Sequence, residues 1–182
     1  MLLQIAICVI AADFITGLVH WWEDAYGKPS WPIIGKHVIE PNLIHHKDPT
    51  AMTRGTFFDR NWQPLTAALI ASGVARLVLG YLDWRVTLTF ALAGLGNEVH
   101  CWQHLPLRQV PKPARLLQEI GILQSRVQHA HHHRHPYAKN YCTLTNFTNA
   151  VLERVAFWRW LEAAIAGIGI TPNRLSAERR GL

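Results

Sequence analysis

The chain has 182 residues, enough for one domain, and it is 49% hydrophobic and only 16% charged, whereas an ordinary soluble domain is about 25% charged. Its formal net charge of +6 is not gathered into a dense basic run, which excludes nucleic-acid binding, and three cysteines without a CxxC pair exclude a disulfide framework or a thiolate zinc site. With eight Trp residues in addition, the composition favours a basic membrane protein.

Three apolar stretches predict transmembrane helices. Residues 2–22, 64–82 and 84–102 are each long enough to cross a hydrocarbon core of about 30 Å, and the short break between the last two predicts a tight hairpin. Asp13 lies within the first stretch, and because a carboxylate is costly in lipid we expect it to face a partner helix or the functional site. We therefore predict an all-α integral membrane bundle of about three spans, forming a single membrane-embedded domain over residues 1–182.

The polar segments carry most of the positive charge. Of the 18 Lys and Arg residues, 16 lie in the loop after the first stretch or beyond the third, and only Arg76 and Arg85 lie near the hairpin tip. The positive-inside rule therefore places the loop and residues 103–182 in the cytoplasm, at the inner membrane if the protein is bacterial. Apolar residues at helical spacing from Leu116 to Val127 predict an amphipathic helix in this region, which also carries a histidine motif.

Four histidine-bearing elements lie on this predicted cytoplasmic face. GLVHWWED ends the first stretch, LIHHKDPT lies in the loop, NEVHCWQH ends the third stretch, and QHAHHHRHPYAKNYC follows the amphipathic region. Their i, i+3 and i+4 spacings place imidazoles on common helical faces, as metal binding requires, whereas His45 and His46 point about 100° apart and could serve different ions. The candidate ligands are His20, His45, His46, His100, His104, His129, His132 and His133, with Asp24 as a ligand or as an orienting carboxylate.

This number of ligands indicates two metal ions. Nitrogen-rich ligation without thiolates suits iron, copper or zinc, but a structural zinc site would need only about four ligands. Two histidine-ligated irons at a membrane surface suit activation of dioxygen against an unactivated C–H bond, which no amino-acid side chain can attack. Asn97, His131 and His135 are candidates for further ligands or for side chains that orient the ligands through hydrogen bonds. Lys47 and Arg54 are candidates for contact with a phosphate headgroup.

The motifs GLVHWWED, HHKDPTAMTR, NEVHCWQH and HxxHH before PYxxNYC resemble the lipid desaturase domain of plasmanylethanolamine (Kua-type) desaturases and of the plastid desaturase that acts on phosphatidylglycerol palmitate. The resemblance covers roughly residues 10 to 160. It implies a membrane-bound, non-haem di-iron enzyme that uses dioxygen and an external electron donor, such as cytochrome b5 or ferredoxin, to introduce a double bond into a phospholipid chain. The eight histidines would then be the iron ligands, and Asp24 the acidic residue.

Three alternatives stay open at this point. A lipid hydroxylase would use the same di-iron site, because both reactions begin with abstraction of hydrogen. A haem-binding membrane cytochrome would need two histidines facing each other across the membrane interior, and a non-catalytic metal-binding membrane protein would need polar residues through the membrane midplane.

Overall fold

Two long helices form the framework of the protein, whose computed structural model describes residues 1–173. Helix α1 (Leu2–Tyr26) and helix α3 (Phe57–Leu79) are both long and apolar enough to cross a membrane. A capping box starts α3, in which Thr56 and Asp59 bond to each other's backbone amides, and Gly80 in the left-handed region (φ +79°) ends it. The described residues form an all-helical fold without a strand, as predicted.

The apolar stretch that predicts the third span is divided between two helices. Helix α4 (Trp84–Gly94) and helix α5 (Gly96–His104) are separated by Leu95, which lies between two glycines. Gly94 packs against α3, where an added Cβ would lie 3.1 Å from the Ala68 Cβ, and Gly96 packs against α1. Because glycine permits this close approach, α5 lies beside α1, and the ring centroids of His100 and His20 are 5.3 Å apart.

The loop between α1 and α3 is mostly helical. A short π-helix (Gly35–Ile39) leads into α2 (Glu40–Lys47), and a 3₁₀ turn (Pro49–Thr53) follows. Pro41 and Pro49 lie in the first turn of α2 and of the 3₁₀ turn, where a helix tolerates proline.

Up to residue 173, the C-terminal region carries a 3₁₀ turn (Leu107–Gln109) and four short α-helices, α6 (Lys112–Glu119), α7 (Arg126–His129), α8 (Asn146–Arg154) and α9 (Phe157–Ala166). The amphipathic helix predicted up to Val127 is interrupted at Gly121, which has a φ of +79°. His132 and His133 lie in the turns that follow α7. The last part of the predicted helical region, residues 174–182, lies outside the described residues.

An aromatic core joins α9 to the end of α1. Trp21 and Trp158 stack with ring centroids 6.0 Å apart, and Tyr141 packs edge-on against Trp158. This core fixes the segment around Tyr141 beside the last turns of α1, where the first histidine element lies.

Candidate metal centre

Five histidines converge from three helical elements into one cluster, which we call the five-histidine cluster. Its ligand nitrogens all lie within 4.8 Å of one another. The Nε2 atom of His129 lies 2.8 Å from Nε2 of His100, 3.1 Å from that of His104 and 3.0 Å from that of His133. The members are His45, His100, His104, His129 and His133.

A second cluster gathers around Asp24 and is called the Asp24 cluster. It contains His20, Asp24, His46 and His132, whose ligand atoms again lie within 4.8 Å of one another. The Asp24 carboxylate lies 2.9 Å from Nε2 of His46, 3.3 Å from Nε2 of His132 and 3.7 Å from Nε2 of His20. The two clusters adjoin, since the ring centroids of His45 and His46 are 4.4 Å apart.

Backbone carbonyls orient three of these imidazoles. Nδ1 of His20 lies 3.1 Å from the Tyr141 carbonyl oxygen, Nδ1 of His132 lies 2.8 Å from that of Lys139, and Nδ1 of His45 contacts that of Asn42. Because a carbonyl only accepts, Nδ1 must carry the proton, and Nε2 keeps its lone pair.

The freed Nε2 atoms fit a metal ion. In His20, His45 and His132 this atom is buried and has no hydrogen-bond partner among residues 1–173. A buried polar atom without a partner is costly, and so are several lone pairs that face one another. A bound cation would satisfy both conditions, and imidazole nitrogens are ligands that iron, copper and zinc accept.

Four histidines of the five-histidine cluster are held in the neutral, ligating form. Burial lowers the pKa of His133 to about 2 and the pKa of His104 to about 4, and the neighbouring imidazoles lower them further. Burial likewise places the pKa of His45 and of His129 well below the ordinary value of 6.5, with nearby histidines adding to the shift.

All eight histidines predicted as ligands, and Asp24, lie in these two clusters. His45 lies in the five-histidine cluster and His46 in the Asp24 cluster. The other candidates lie elsewhere. His131 is half-buried and His135 is exposed, and neither belongs to a cluster. The Asn97 amide donates to the Arg60 carbonyl (3.0 Å) and so ties α5 to α3.

The two predicted headgroup residues are both exposed. Lys47 ends α2, and Arg54 pairs with the Asp48 carboxylate and also lines the mouth of a cavity.

Asn42 is a site residue that the sequence did not predict. Its amide donates to Asp24 (2.6 Å), and its carbonyl orients His45. Its position one helical turn before His45 and His46 was the available signal. The carbonyls of Lys139 and Tyr141 could not be predicted, because they belong to an irregular segment.

A cavity of about 630 Å³ leads to both clusters. Much of its wall is formed by small and apolar side chains of α1, α3 and α4, among them Val19, Ala67, Ala71 and Phe90. Polar side chains, among them Glu23, Arg60 and Gln63, form the rest. Its inner end reaches His20 of the Asp24 cluster together with His45 and His100 of the five-histidine cluster. An apolar chain that enters the cavity would thus reach the histidines of both clusters.

Two helices long enough to cross a bilayer and a pair of adjoining histidine clusters characterise this chain as an all-helical protein with candidate membrane spans and a candidate metal centre. The chain belongs to the lipid desaturase family, since the lipid desaturase domain matches residues 9–174.

Curated relatives agree with this membership. The chain is 33% identical to mouse plasmanylethanolamine desaturase 1 over an alignment of 171 residues that covers 87% of this chain and 62% of that protein. It is 36% identical to Arabidopsis thaliana chloroplastic fatty acid desaturase 4 over 172 residues (92% of this chain, 52% of that protein). It is 30% identical to the Myxococcus xanthus plasmanylethanolamine desaturase over 172 residues (91% and 60%). The chain thus spans between half and two thirds of these three relatives, and no solved structure matches it.

Proposed function

We propose that this chain is a membrane lipid desaturase that holds two iron ions and introduces a double bond into an alkyl or acyl chain of a phospholipid. Two adjacent carbons each lose one hydrogen, and dioxygen is reduced to two waters. The balance requires two electrons and two protons, which an external donor such as cytochrome b5 or ferredoxin and the solvent would supply. The observation that supports this proposal most directly is the largely apolar cavity, which reaches histidines of both clusters.

In this proposal each cluster holds one ion. The five-histidine cluster offers only neutral nitrogens, whereas the Asp24 cluster adds one carboxylate, so the two sites differ in charge. When bound, iron supplies the activation of dioxygen that hydrogen removal from an unactivated chain requires. The protein's part is to keep imidazoles of the five-histidine cluster neutral, to fix the tautomers of His20, His45 and His132 through backbone carbonyls, and to bring the two sets of ligands next to each other.

The cavity orients the substrate. An apolar chain would lie along Val19, Ala67, Ala71 and Phe90, because burying it there removes it from polar surroundings. The polar headgroup would stay at the mouth, where the Arg54 guanidinium is exposed and suited to a phosphate, with Lys47 close by in sequence. This arrangement would bring one segment of the chain to the inner end of the cavity and so select the bond that reacts.

The proposed location is the membrane, with the site on the cytoplasmic face. The distribution of Lys and Arg supports this orientation, because both long helices are flanked on that side by the basic segments. A water-soluble electron donor would then reach the five-histidine cluster from the cytoplasm through His104 and His133, which are less deeply buried than His129.

Metal analysis of the purified protein tests the proposal. We expect about two irons per chain in an active preparation. The double variant His100→Ala/His104→Ala removes two ligands of the five-histidine cluster and should lose iron and activity together, whereas His131→Ala should keep both. An active preparation that contains zinc and no iron would overturn the proposed chemistry.

A further inference from the structure

Asp13 is a fully buried carboxylate that the proposed reaction does not use. It lies in α1, two helical turns before His20. Its oxygens accept three hydrogen bonds, from the Leu144 amide (2.7 Å), the Thr145 amide (3.1 Å) and the Thr145 hydroxyl (2.6 Å). The sequence predicts that Asp13 faces a helix or the site, but its partner is an irregular segment of the C-terminal region.

This segment, residues 141–145, is buried and lies along α1. Tyr141 contacts His20, an added Cβ on Gly17 would lie 2.5 Å from the Cys142 Sγ, and Thr145 contacts Asp13. Asp13, Gly17 and His20 lie on one face of α1, at i, i+4 and i+7. Seven residues of α1 rise about 10.5 Å, and four extended residues cover about 13 Å. Because these lengths are similar, residues 141–145 can run alongside α1 from the contact at His20 to the contact at Asp13.

The segment makes most of its polar contacts with side chains rather than with a neighbouring strand. The Asn149 amide group bonds both the amide and the carbonyl of Cys142 (3.0 and 2.7 Å), and Gln103 donates to the Thr143 carbonyl (2.5 Å). At the other end of the segment, the backbone amides of Leu144 and Thr145 donate to the Asp13 carboxylate. The carboxylate therefore fixes one end of a segment whose other end orients an imidazole.

We propose that Asp13 is a positioning residue for the Asp24 cluster. By holding residues 141–145 against α1, it places the Tyr141 carbonyl at Nδ1 of His20 and so keeps Nε2 of His20 aimed at Asp24. The Lys139 carbonyl, two residues earlier, does the same for His132. This inference rests on the proposed metal centre.

The chemistry calls for a carboxylate at this position. Three donors converge on two oxygens, and only a group without N–H of its own accepts all three. An Asn side chain would turn its NH₂ group towards at least one of these donors. The amide that lost its acceptor would be buried and unpaired, which favours displacement of the segment.

The test measures iron binding in the full-length protein with Asp13→Asn. The matched control is Asp83→Asn, since Asp83 is also a buried carboxylate but caps the start of α4. Wild type and Asp83→Asn should bind two ferrous ions. Asp13→Asn should keep the five-histidine site and bind the other ion about 10–100-fold more weakly, with loss of one of the two iron signals in the Mössbauer spectrum.

A second pair of variants decides the matter if Asp13→Asn does not fold. Thr145→Val removes the hydroxyl that bonds Asp13, and Thr145→Ser keeps it. The Val variant should weaken the same ion, and the Ser variant should match wild type. Two ions bound with wild-type affinity and spectrum in the folded variants would overturn the inference, even if the melting temperature fell. Absence of iron from the wild type would instead overturn the proposed function, and this inference with it.

Discussion

Replacement of Asp24 by Asn should weaken the binding of one metal ion and leave the binding of the other unchanged. Asp24 is the single carboxylate in the two clusters, and it lies within 3.7 Å of the Nε2 atoms of His20, His46 and His132. A unit charge about 4 Å from a divalent ion is worth about 8 kcal/mol at an effective dielectric constant of about 20. The removal of the carboxylate from water offsets much of this energy. The amide oxygen that remains recovers part of this energy. We therefore expect binding to weaken by about 3 kcal/mol, which is about 100-fold.

Anaerobic titration of the metal-free protein with ferrous iron, followed by calorimetry, resolves the two sites. The Asp24→Asn variant should show one site within about threefold of wild type and one site weakened about 100-fold. Asp83→Asn serves as the control, because it changes a buried carboxylate at the start of α4 and should leave both sites unchanged. Retention of both sites in Asp24→Asn, or loss of the five-histidine site alone, would refute the division of ligands between two ions.

Further predictions address the cavity, the packing of α1 and the response to pH. Ala71→Phe fills part of the cavity and should lower activity at least about tenfold without loss of iron, whereas Leu69→Phe, at an exposed position on α3, should not; equal losses would contradict the assignment of the cavity. Gly17→Ala places a Cβ 2.5 Å from the Cys142 Sγ and should lower the free energy of unfolding by about 1–3 kcal/mol. Gly73→Ala, with nothing within 4 Å, should leave the melting temperature unchanged or raise it. Four histidines have lowered pKa values, namely His45, His104, His129 and His133. As the pH falls, these histidines therefore take up protons in the unfolded metal-free chain before they do so in the folded one. Stability should therefore be complete above about pH 6.5 and fall towards pH 4, by up to about 1.4 kcal/mol per pH unit for each histidine. A melting temperature that stays constant between pH 7.5 and 5 would contradict this expectation.

Local spacing was sufficient to predict much of the candidate centre. His100 and His104 share a helical face and lie in the same cluster, as do His20 and Asp24. The neighbours His45 and His46 point apart and lie in different clusters. These relations depend only on helix geometry, which the sequence pattern carries.

Relations that depend on irregular backbone were not predictable in the same way. His129, His132 and His133 have spacing for one helical face, but α7 ends at His129, and His132 turns to the Asp24 cluster through its bond to the Lys139 carbonyl. The division of the third apolar stretch at Leu95 depends on close contacts of its flanking glycines with α3 and α1. Only the tertiary structure brings these partners together.

The profile of lipid unsaturation in a host that lacks this activity tests the central claim most directly. Expression of the wild-type chain should produce a phospholipid with one additional double bond, in an acyl chain or as a vinyl ether. The variant His100→Ala/His104→Ala, expressed at the same level in the membrane, should not produce it. An unchanged lipid profile with wild-type protein that holds two irons and is supplied with a reducing partner would contradict the assignment as a lipid desaturase.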